Sequence, residues 1–133
     1  MNKEMCNNLI NACNNCILSC QKSLKKCKYG SDTHDLNHDE KENCAASQQD
    51  LITKCQECIH ACNAILDNND FQNKEYKEVI KECKDVCKDT LDRCQESINK
   101  ILNGNSSGVI WAFDQINECI RACDKCVEML NQR

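Results

Sequence analysis

The chain has 133 residues, enough for one domain with a core of moderate size. Its formal net charge is −4, and Lys and Arg alternate with Asp and Glu, as in EKENC and KEYKEVIKECKD, so the charges describe a solvated surface and offer no basic face for nucleic acid. No segment is apolar enough to span a bilayer, and the absence of proline, with only three glycines, favours long uninterrupted helices.

The first predicted helix runs over about 3–28 and stops at Gly30, which Ser31 and Asp32 follow. Its successive core positions are Cys6, Leu9, Cys13, Cys16, Cys20, Ser23 and Cys27. The polar stretch YGSDTHDLNHD then reads as a loop carrying His34 and His38. A second helix over about 38–66 places Cys44, Gln48, Leu51, Cys55, Cys58, Cys62 and Ile65 on one stripe. Asp67, Asn68, Asn69 and Asp70 break the chain, and Asn73 is suited to cap the next helix. That third helix, about 74–102, aligns Tyr76, Ile80, Cys83, Cys87, Thr90, Cys94, Ser97 and Ile101. A run from Asn103 to Gly108 breaks the chain again, with Ser106 or Ser107 as the cap. The fourth helix, about 108–131, aligns Val109, Ala112, Ile116, Cys119, Cys123, Cys126 and Leu130. Short connections favour antiparallel neighbours, so the fold expected is all-α, a single domain over 1–133 built as an up-down-up-down four-helix bundle with a cysteine-lined core.

All fifteen cysteines fall on these stripes. One or two buried thiols are ordinary small hydrophobes. Fifteen are not, because replacing Leu or Ile by a smaller side chain costs roughly 2–5 kcal/mol where a cavity remains. The sulfur therefore has a chemical purpose. A disulfide scaffold is one reading, but an odd number of cysteines leaves at least one unpaired, and helix-borne cysteines meet strict geometric limits on bridging. MNKEMCNNLINAC has no apolar signal region, so the expected compartment is the reducing cytoplasm, where thiols persist unless metal holds them.

Thiolates are soft ligands that select Cu(I), Zn(II) or iron–sulfur clusters. The pairs Cys13/Cys16, Cys55/Cys58 and Cys123/Cys126 lie mid-helix, without the turns of a zinc knuckle or a looped cluster motif. Cu(I) fits the stripes better. One Cu⁺ in place of each S–H proton leaves the core neutral, whereas a buried unpaired thiolate is prohibitively costly. Cys16/Cys20, Cys58/Cys62, Cys83/Cys87 and Cys119/Cys123 are C-x-x-x-C pairs, each one turn apart and able to clamp an ion. Zn or Cd sequestration by the same thiols, and a structural or partner-binding bundle held by inter-helix disulfides, are the alternatives.

With one such pair on each helix, the sequence resembles the bacterial copper storage proteins, four-helix bundles whose bore is lined with cysteines. The resemblance spans nearly the whole chain as a pattern, not as a long matching string. It implies cytoplasmic storage of multiple Cu(I) ions by all fifteen cysteines, homo-oligomers, and a His- or Met-bearing mouth. Candidates for that mouth are His34 and His38 at one end, and Met5 and Met129 at the other. The chain departs from the resemblance at Leu9, Leu51, Ile65, Ile80, Ile101, Ile116 and Leu130, which interrupt or cap the sulfur column. His60 falls opposite the core stripe and is expected to be exposed. No nucleophile or phosphate-loop motif is present, so an enzyme is not expected. Most cysteines fall in the half holding the first helix N-terminus; Cys20, Cys27, Cys44 and Cys94 extend toward the histidine loop, so metal is expected to fill the column unevenly.

Overall fold

The computed structural model describes residues 3–27, 37–68, 73–103 and 107–132, with side chains throughout except at 107–111. Among the described residues there are four helices: α1 (Lys3–Lys26), α2 (His38–Leu66), α3 (Lys74–Leu102) and α4 (Ser107–Asn131). Their starts follow from local hydrogen bonding. The Asn37 side chain accepts from Glu40 N at 2.8 Å while Glu40 Oε1 accepts from Asn37 N at 3.2 Å, a reciprocal capping box. Asn73 caps α3 as its position suggests, accepting from Tyr76 N at 3.1 Å. The expected stop at Gly30, the Ser106 cap and His34 lie outside the described residues.

α1 packs on α2 and α4, and α3 packs on the same two helices from the opposite side. Sulfur contacts give the directions. Cys13 meets Cys58 at 3.6 Å and Cys16 meets Cys55 at 3.8 Å, so α1 and α2 run in opposite senses. Cys83 meets Cys58 at 3.9 Å and Cys123 at 4.0 Å, which fixes a common level on α2, α3 and α4. The result is the up-down-up-down bundle that short loops require.

The stripes read from the sequence are buried, except that Tyr76 is only partly so and Val109 is among the residues whose side chains are not described. Every cysteine is buried, with relative exposure no higher than 1%. Leu9, Leu51, Ile65, Ile80, Ile101, Ile116 and Leu130 are the largest fully buried apolar side chains. Each is worth about 1.5–3 kcal/mol relative to exposure. Register places Leu9, Ile80, Ile65 and Leu130 on the α1 N-terminal side of the sulfur-rich level, and Leu51 and Ile116 on the other. Ser23, Gln48, Thr90 and Ser97 are also fully buried, as their stripe positions imply. Ser19, Ser47, Ala45, Ile52, Val86 and Ala122 widen the core beyond the stripes.

Candidate metal centre

The thiols gather into two stacked tetrads, one residue from each helix at each level. Cys13, Cys58, Cys83 and Cys123 form one, and Cys16, Cys55, Cys87 and Cys119 form the other; in each, all four Sγ atoms lie within 4.8 Å of one another. Helix periodicity makes the stack. Cys13 and Cys16 on α1, and Cys55 and Cys58 on α2, are three residues apart, while Cys83 and Cys87 on α3, and Cys119 and Cys123 on α4, are four apart. Both spacings return a side chain to the same face about one turn on, so each helix gives one sulfur to each level.

The closest sulfur contacts run between helices. Within the first tetrad Cys13 lies 3.6 Å from Cys58 and 3.9 Å from Cys83. Within the second, Cys16 lies 3.8 Å from Cys55 and 3.6 Å from Cys119. Cys87 and Cys123, at 3.9 Å, join the two levels. A tetrahedral site with metal–sulfur bonds of about 2.3 Å has sulfur–sulfur edges of about 3.8 Å, and a trigonal one about 4.0 Å. These spacings suit either geometry.

Protons are unequally held. The S–H groups of Cys123, Cys13 and Cys62 favour the thiolate of Cys58, and Cys123 leads the groups that do the same for Cys83. In the second tetrad, Cys16 is held down by Cys123, Cys20 and Cys55 against the opposing pull of Cys119, and Cys119 is itself held down by Cys123 first. Their tetrad partners Cys13, Cys55, Cys87 and Cys123 are pushed up in return. Outside the tetrads, Cys20 is raised by Cys119 and Cys16, and Cys62 by Cys58 and Cys83, with burial adding to both. Cys94 is pushed up to about 12, first by burial. A soft cation that replaces these protons relieves the penalty of burying thiolates.

The remaining expected ligands divide. Cys20, Cys62 and Cys126 interact with the tetrads. Cys6 and Cys94 are free and buried in the same core but contribute to neither tetrad. Cys27 and Cys44 form a disulfide, leaving thirteen free thiols. In that state these two are not available as metal ligands, in contrast to the expectation that all fifteen serve. The pair sits apart from the main core, in a small cluster with Ile101. The sulfur-rich section is thus centred near the middle of the bundle, with single thiols beyond it on both sides.

The proposed mouths are not assembled alike. His38 is exposed, its Nε2 3.1 Å from Glu42 Oε1. Met5 and Met129 are partly buried against the core, and Asn68 Nδ2 donates to Met5 Sδ at 3.3 Å. His60 is exposed, as expected. What the stripes did not reveal is the pairing into two levels, for which the signal was the three- or four-residue offset repeated once on every helix. Of the polar groups around Cys27 and Cys44, Ser23 and Gln48 lie on the stripes, whereas Ser47 lies beside its stripe and has no signal there. No family model matches the chain, and neither the curated proteins nor the solved structures compared with it give a match. The molecule is a cysteine-rich four-helix bundle with two buried cysteine groups that could hold metal ions. None of the described helices is long and apolar enough to cross a membrane.

Proposed function

We propose that this protein stores or buffers Cu(I), taking several ions into the thiol-lined core of a cytoplasmic bundle without a catalytic step. The observation that carries the reading is the pair of stacked, fully buried tetrads continuous with further thiols. Charge decides in favour of a monovalent ion. A divalent ion in each four-thiolate level leaves two negative charges per level, stacked in an apolar interior where desolvation costs several kcal/mol per ion. Cu⁺ matched to thiolates one for one leaves the section neutral. The resemblance to the copper storage proteins agrees with this reading.

A second reading is supported by one observation. The shortest sulfur spacings in the tetrads, 3.6–4.0 Å, match the edges of a tetrahedral site, so one Zn(II) or Cd(II) per tetrad is the alternative. Anaerobic titration of the fully reduced chain against a competing Cu(I) chelator separates the two. Storage requires saturation near one Cu(I) per free thiol; saturation at one or two Cu(I), with two Zn(II) bound in a separate Zn(II) titration, favours the divalent reading, since thiolates hold Cu(I) tightly in any case.

A further inference from the structure

Cys27 and Cys44 differ from the other thirteen cysteines in position and surroundings. Cys27 lies just past the last residue of α1, and Cys44 lies in the second turn of α2. The segment between them connects those two helix ends, and their Cα atoms are 4.6 Å apart, inside the range of about 4.4–6.8 Å that a disulfide needs. The tetrad cysteines project from helix axes that pack about 8–10 Å apart. Their closest Sγ atoms lie 3.6 Å apart and are not bridged. Oxidation therefore has one site that costs the bundle little.

The surroundings are polar, unlike the apolar and sulfur-lined section below. Gln48 Nε2 donates to Cys27 Sγ at 3.5 Å and lies 3.9 Å from Cys44 Sγ. Ser23 Oγ and Ser47 Oγ each lie 3.9 Å from Cys27 Sγ. Ser47 Oγ donates to Cys44 O at 2.7 Å, so Gln48 Nε2 supplies the amide donor that the two sulfurs share. Both cysteines are buried. Cys27 nonetheless follows the last residue of α1, where helix fraying opens the chain most readily and admits an attacking disulfide.

We propose that Cys27 and Cys44 form a selective redox site at the α1 C-terminal end, oxidised by low-molecular-weight disulfides while the column thiols stay reduced. The thiolate of one cysteine attacks the disulfide RSSR, forming a mixed disulfide and releasing RS⁻. The second cysteine's thiolate displaces the other RS⁻, closing the Cys27–Cys44 bond. The two protons leave on two RSH; the protein pair loses two electrons and RSSR gains them. In the reduced state this end offers two thiolates to an incoming soft cation. In the oxidised state it offers none and ties α1 to α2.

The proposal rests on the metal-binding reading only for its consequence, so the first test omits metal. The full chain, reduced and metal-free, is incubated anaerobically with glutathione disulfide, and free thiols are counted while peptide mapping locates the bridge. The count should fall from fifteen to thirteen and stop, with the 27–44 linkage as the product. The variant carrying Cys27→Ser and Cys44→Ser should keep its thirteen thiols under the same treatment. Pre-loading the wild-type chain with Cu(I) should protect the pair. Oxidation spread over tetrad cysteines, or a count that stays at fifteen, overturns the proposal. A selective bridge that Cu(I) does not suppress overturns its role toward metal but leaves the storage titration to be judged separately.

Discussion

Cys123 lies 4.0 Å from Cys83 and 3.9 Å from Cys87, so its sulfur belongs to one tetrad and touches the other. Cys123→Ala should therefore lower Cu(I) capacity by more than one equivalent, whereas Cys6→Ala, outside both tetrads, should lower it by one at most. Chelator-competition titrations of the two variants check this. The raised Cys94 thiol gives the metal-free protein one pH-dependent contribution to stability. An unfolded chain releases the Cys94 proton near 9.0, but the folded chain keeps it to about 12. Between these values the folded state holds this extra proton, so the Cys94 contribution is full below about pH 9 and is lost as pH rises through this range. Cys20 and Cys62, raised by neighbouring thiols and burial, act in the same direction. Urea unfolding of the reduced apo chain from pH 8 to 11 should show a falling midpoint, and Cys94→Ala should flatten the fall. At this scale the sequence disclosed which residues face inward, because a helical face is a local property. It did not disclose the Cys27–Cys44 bridge. That pairing depends on how close two helix ends come once the bundle packs.

At the scale of helices, the ends and the apolar layers carry the fold. Asn37→Ala and Asn73→Ala each remove a side-chain acceptor from a helix start, and each should destabilise the bundle by about 1 kcal/mol. Leu9 is fully buried on the α1 N-terminal side of the sulfur-rich section, so Leu9→Ala should cost about 2–5 kcal/mol in the metal-free state. Denaturant unfolding checks all three. The Lys125–Glu82 contact between α4 and α3, at 3.4 Å, is solvent-exposed and adds little by comparison. Helix limits were legible within a few residues, because the breaks are marked by Asn, Asp, Ser and Gly and the caps are specified locally. The levels were less legible. Whether Cys13 faces Cys58 or Cys62 depends on the axial offset of two helices, and periodicity on one helix does not encode it.

Across the whole molecule, the sulfur section lies between apolar layers, with one redox-competent pair set apart at the loop end. The bundle can fold on its Leu and Ile layers before metal arrives and gain further stability from it afterwards. Metal that binds only the folded state should raise the thermal midpoint in proportion to the logarithm of free ion concentration, and a strong Cu(I) chelator should reverse the rise. Circular dichroism should show little change in helix content on loading, because the ligands already sit within 4.8 Å of one another. The most direct test is the anaerobic Cu(I) titration of the fully reduced chain with a competing chelator. Saturation near one ion per free thiol is expected for storage; saturation at one or two ions would contradict it.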